Sequence, residues 1–112
     1  MLFRSYLGSG GAPEGVLAAA ALKCVGGHFQ GRLIFRNDEE RARAARTGVT
    51  DFSRKYDLHE LVSKDAVFAA TGVTKGALLD GVQMGEGYVS THTLVMDSSD
   101  GTVRRIRTTR RL

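Results

Sequence analysis

Gly8-Ser9-Gly10-Gly11-Ala12-Pro13-Glu14-Gly15 runs straight into Val16-Leu17-Ala18-Ala19-Ala20-Ala21-Leu22-Lys23-Cys24-Val25, which stops at Gly26-Gly27. This junction decides the fold class. The glycines free the backbone for a tight turn, Pro13 presets the φ of a first helical turn, and the alanine-rich run favours helix until the paired glycines end it. The short apolar stretch from Leu2 to Leu7 reads as a strand feeding the loop. The helix is apolar nearly all round and needs cover on both sides. Cys24 falls among apolar neighbours on it and is expected to be a buried small residue, not a nucleophile.

Downstream, His28 to Arg36 alternates, with Phe29, Leu33 and Phe35 on one face and His28, Gln30, Arg32 and Arg36 on the other, the period of a half-buried strand. Asn37 is placed to cap a helix through Arg46 ended by Gly48, with Glu40 spaced for a capping box and Glu39 and Arg43 for a surface ion pair. Leu58 to Val62 reads as one helical turn, and Ala66 to Ala70 as a fully buried strand broken at Thr71-Gly72. Tyr88 to Met96 and Thr102 to Arg107 are β-branched runs joined by Asp97-Ser98-Ser99-Asp100-Gly101, which predicts a hairpin. Helices alternating with strands early and a hairpin late make an α/β chain with a mixed sheet. No repeat, linker or low-complexity segment divides it, so residues 1–112 form a single unit.

With 112 residues, 42% hydrophobic and 25% charged, the chain has the composition of one modest soluble domain with a small core. One cysteine excludes an internal disulfide or a multi-thiolate zinc site. Without a signal peptide the reducing cytoplasm is the expected compartment. No apolar run is long enough to span a bilayer, so no membrane partner is expected. The net charge of +4 comes from 16 Lys and Arg against 12 Asp and Glu, and Arg104, Arg105, Arg107, Arg110 and Arg111 supply five of the 16. Without that tail, 11 against 12 leaves −1, so the tail is expected to be a solvated end and no nucleic-acid partner is expected.

The glycine loop is the richest candidate site. Gly10 and Gly11 let backbone amides approach a ligand, and a helix starting near Pro13 aims its free N–H groups and positive dipole end at the same place, which suits a phosphate. No Lys-Ser or Lys-Thr follows, so it is not a Walker loop, and Pro13 occupies the third glycine of the dinucleotide fingerprint. Plain turn punctuation also fits. Glu14 has two readings as well: a carboxylate favoured by the helix dipole, or a hard-cation ligand for Mg²⁺ or Mn²⁺ beside a phosphate cradle. His28, His59 and His92 lack metal-ligand spacing, and no Gly-x-Ser-x-Gly elbow supports triad hydrolysis. Ala69-Ala70-Thr71-Gly72-Val73-Thr74 ends a strand where α/β ligands often sit, or is a plain turn.

These blocks resemble a known family. Gly8 to Val16 with its alanine-rich helix, Gln30-Gly31-Arg32-Leu33, Asp65 to Thr74, Thr93-Leu94-Val95-Met96 and Gly101-Thr102-Val103-Arg104-Arg105-Ile106 are similar to the C-terminal part of class II fructose-1,6-bisphosphatase, over nearly the whole chain. The resemblance implies the C-terminal portion of a layered sugar-phosphatase fold. It implies a bacterial phosphoric monoester hydrolase that removes the 1-phosphate of fructose-1,6-bisphosphate with Mn²⁺ or Mg²⁺, some relatives also accepting sedoheptulose-1,7-bisphosphate. It implies a homo-oligomer in the full-length family. The family's metal carboxylate falls on Glu14 and its substrate-contacting glycine on Gly11. No catalytic residue falls on this chain, because the other metal carboxylates, the catalytic threonine and most sugar and phosphate contacts belong to an N-terminal portion. Where the family usually has Thr-Thr-Glu, this chain reads Ser90-Thr91-His92. Met1-Leu2-Phe3-Arg4-Ser5 enters just before the loop, so the chain is expected to be a piece of a longer or split enzyme, inactive alone. The rival reading is a non-catalytic phospho-ligand-binding or interaction module.

Overall fold

The computed structural model describes residues 7–112; but for Leu7, the strand expected over residues 2–7 lies outside them. Helix α1 (Ala12–Val25) carries Pro13 in its first turn and ends at Gly26, whose φ of 74° is left-handed. There Gly27 N–H donates to Leu22 O at 2.8 Å and Gly26 N–H to Lys23 O at 3.4 Å, a chain reversal that favours glycine.

Strand β1 (Gln30–Arg32) pairs antiparallel with β2 (Lys55–Asp57), Gly31 facing Tyr56. The alternation expected over His28 to Arg36 holds as burial, with Phe29, Leu33 and Phe35 half-buried. The ladder itself is only three residues long, because β2 offers no more backbone to pair. Phe35 instead meets the ring of Phe52 edge-on, centroids 5.2 Å apart. Asn37 caps α2 (Asp38–Arg46), its Oδ1 accepting from Glu40 N–H at 2.9 Å. The expected reciprocal half of that box is missing: the Glu40 carboxylate takes the charged Arg36 guanidinium at 2.7 Å, a stronger donor than a backbone amide. Arg41 pairs with Asp38 at 2.8 Å, where the spacing had suggested Glu39 with Arg43. A complete box forms elsewhere, on α3 (Leu58–Leu61), where Asp57 Oδ1 accepts from Glu60 N–H at 2.9 Å and Glu60 Oε1 from Asp57 N–H at 3.2 Å.

The main sheet contains β3 (Val67–Thr71), β4 (Gln83–Gly85), β5 (Tyr88–Asp97) and β6 (Thr102–Arg111), all antiparallel. Strand β5 is the spine. β6 follows one edge of it from Asp97↔Thr102 to Tyr88↔Arg111, while β3 and β4 share the other edge. The hairpin turn is built from its own side chains. Asp97 Oδ1 accepts from Ser99 N–H and Oγ–H, Asp100 Oδ1 accepts from Thr102 N–H and Oγ1–H, and Gly101 supplies a φ of 70°. The arginine tail is thus not a loose end: it is the outer strand of the hairpin, exposed but registered throughout, because the β-branched run continues to Thr109.

The core lies between α1 and one face of this sheet. Cys24, Leu94 and Met96 are buried together, with Ala21, Phe68 and Leu79 packed against them. As expected, Cys24 is a buried free thiol, its Sγ 3.6 Å from Ala66 O. Among the described residues no element covers the opposite sheet face, since residues alternate sides along a strand and α1 packs on one side. Strand β3, expected to be fully buried, is therefore half-exposed, with Val67, Ala69 and Thr71 in solvent. The radius of gyration is 18.1 Å, against roughly 13 Å for a compact domain of about 100 residues. The chain spreads its elements wider than a self-contained fold of its length.

Candidate functional site

The glycine loop enters α1 in extended backbone, Gly11 having φ −64° and ψ 149°, and no side chain caps the helix. The first intrahelical bond runs from Gly15 N–H to Gly11 O at 3.2 Å. Because Pro13 has no N–H, the first-turn donors of Ala12 and Glu14 are the amides a ligand would meet at the positive end of the dipole.

Gly11 and Glu14 touch. The Glu14 carboxylate folds back over Gly11 and occupies the space a Cβ there would need. Two residues singled out for separate reasons thus form one feature: the missing side chain at Gly11 gives the Glu14 carboxylate its place at the helix mouth. The feature stands in solvent, as residues 8–14 are all exposed.

No three His, Cys, Asp or Glu side chains among the described residues come together as a metal site. Glu14 alone offers too few oxygens for a hard cation that takes six or more ligands. The described side chains therefore do not by themselves form a complete Mg²⁺ or Mn²⁺ centre. His28 and His59 line an open groove of about 460 Å³ with Lys23, Asp57 and Gln30. Both histidines are exposed.

A second polar cluster, which the sequence reading did not single out, joins β5, β6 and the 72–82 segment. His92 Nδ1 accepts from Asp80 N–H at 2.9 Å, Arg107 Nη2 contacts Asp80 Oδ2 at 2.5 Å, and Arg105 Nη1 donates to Leu78 O at 2.9 Å. The Arg107 guanidinium holds the Asp80 carboxyl below the usual carboxylate range, with the Lys75 charge adding to the same effect. Half of this cluster was legible. His92 and Arg107 are equidistant from the hairpin turn and so face each other in the register. Asp80 arrives through a loop with no periodic signal.

Residues 3–110 match the family of bacterial fructose-1,6-bisphosphatases encoded by glpX. The chain belongs to that family. Among curated members, the "D-fructose 1,6-bisphosphatase class 2/sedoheptulose 1,7-bisphosphatase" of Synechococcus elongatus is 41% identical over 93% of this chain, and that of Microcystis aeruginosa is likewise 41% identical over 93%. The matched region is 34% of each relative's length, so this member of the glpX-encoded family spans about a third of those relatives. The helix α1, the glycine loop and the main sheet up to Arg110 lie inside the matched region. Among the described residues no helix is long and apolar enough to cross a membrane.

Proposed function

We propose that the chain supplies the C-terminal third of a metal-dependent fructose-1,6-bisphosphate 1-phosphatase of gluconeogenesis or carbon fixation, and that it does not turn over substrate alone. In this reading Glu14 contributes one carboxylate to a shared Mn²⁺ or Mg²⁺ site, and the loop centred on Gly11 lines the sugar phosphate. The observation that carries the reading is the contact between Gly11 and Glu14. It holds a carboxylate at an uncapped helix N-terminus, where phosphate and cation would be adjacent, in a chain whose described residues bring no three His, Cys, Asp or Glu side chains together as a metal site. The cation, when bound, would polarise the phosphoryl oxygens. Gly11 leaves room for Glu14, and the free amides of the first turn orient the phosphate.

The same shortage of donors favours a second reading, a non-catalytic module that binds phospho-ligands through the loop alone. One experiment separates the two. The chain is joined to the N-terminal portion of a full-length relative, and metal-dependent phosphate release from fructose-1,6-bisphosphate is measured for the fusion, for its Glu14→Gln variant and for the chain alone. We expect turnover by the fusion and none by the chain alone. The near-isosteric Glu14→Gln change is expected to lower turnover by about a hundredfold, or about 2.7 kcal/mol of barrier, partly restored by excess Mn²⁺. Unchanged turnover and metal dependence in Glu14→Gln would reject the cation role. Phosphate release by the chain alone would reject its dependence on further carboxylates.

A further inference from the structure

The 72–82 segment closes on itself through backbone contacts that tolerate no bulk. A Cβ on Gly72 would collide with Asp80 O, and one on Gly81 would press on the backbone of Val73 to Lys75. Gly76 N–H donates to Leu79 O at 2.9 Å, and Val82 N–H to Val73 O at 3.1 Å. Leu79 packs on the core around Leu94 and Met96. Arg105 and Arg107 hold the segment from β6, and β5 holds it at its start through His92 O, which accepts from Gly72 N–H at 3.0 Å, and at Asp80 through the His92 ring.

That last bond has a definite proton requirement. A backbone N–H can only donate, so Nδ1 must carry a lone pair and the ring must be neutral with its proton on Nε2. Protonation of Nδ1 would set two donors against each other. We infer that His92 is a pH-dependent latch on the 72–82 segment, which is docked at neutral and higher pH and loosened in mild acid. This goes beyond the proposed phosphatase role and does not rest on it.

The charges facing the ring argue the direction. Arg107 lies directly opposite His92 in the register, Asp80 Oδ2 is 3.9 Å from Nδ1, and Lys75 acts on the same carboxylate. Arg105 and Arg111 share the ring's side of β6 by strand alternation. From α1, Lys23 is occupied by Val62 O and Glu14 is folded on Gly11. Asp80 already pairs with Arg107 and the His92 side chain is only 15% exposed, so a proton on Nδ1 would point at the Asp80 N–H from which the ring now accepts. Arg107 holds Asp80 in its charged form, and imidazole is the side-chain type whose ordinary titration falls between about pH 5 and 8.

The test is NMR on the ¹⁵N-labelled full chain. Ring nitrogen shifts at about pH 8 are expected to show His92 protonated on Nε2 and bare on Nδ1. Amide protection at Asp80 and across 73–82, corrected for intrinsic exchange, is expected to fall roughly fivefold or more at about pH 5.5, as for loss of one hydrogen bond. In His92→Gln, whose side-chain oxygen accepts at all pH, that fall is expected to vanish, and His92→Glu serves the same purpose should the glutamine variant fail to fold. A proton on Nδ1 at pH 8, or protection that drops equally in wild type and both variants, would overturn the latch. So would protection at Asp80 that is maintained in acid, the sign that the imidazolium holds the segment through the Asp80 carboxylate.

Discussion

The two halves of α1 live in different surroundings. Its C-terminal half carries Ala21, Leu22, Lys23 and Cys24, all at least half-buried, with Cys24 in the core and Lys23 Nζ bonded to Val62 O at 2.8 Å. Its N-terminal half, continuous with the glycine loop, leaves Val16 43% and Leu17 57% exposed. Val16 and Leu17 are as apolar as Leu22 and Cys24, so the difference lies in what the chain brings up against them. The end that packs is the one the sheet reaches. The end carrying Gly11 and Glu14 is the bare one.

The comparison can be broken by substitution. Leu94→Ala, at 3% exposure in the core below α1, is expected to cost about 2–5 kcal/mol of unfolding free energy by denaturant titration. Equal losses at the bare end would erase the distinction between the halves. Gly72→Ala forces backbone to move where Asp80 O stands in the way, and overpacking of that kind is expected to cost about 1–3 kcal/mol. Full stability of Gly72→Ala would show that the segment is not held as tightly as the packing implies. Leu17→Ala is expected to change stability by no more than about 0.5 kcal/mol, while reducing binding of a dye that reports exposed apolar surface. A large loss there would mean that the N-terminal half is covered in solution, by a second copy of the chain or by a rearrangement of its own segments.

Local signals carried far. Pro13, the alanine run and Gly26-Gly27 determined α1, Asn37 determined the start of α2, and the turn Asp97 to Gly101 determined the hairpin, because each depends on bonds closed within a few residues. The glycine loop and Glu14 could be singled out for the same reason: a helix N-terminus is a local object. What required the tertiary structure was every relation between distant segments. Burial of β3 depended on whether one or two layers cover the sheet, and only one does. Glu40 chose Arg36 over the Asn37 amide because a charged donor happened to be in reach. The arginines of β6 read as a solvated tail until the long ladder with β5 placed Arg105 and Arg107 against Leu78 and Asp80. Propensity and periodicity fix what a segment can be. Which carboxylate meets which ring or guanidinium is fixed by loop closure and packing, energies that depend on the whole chain.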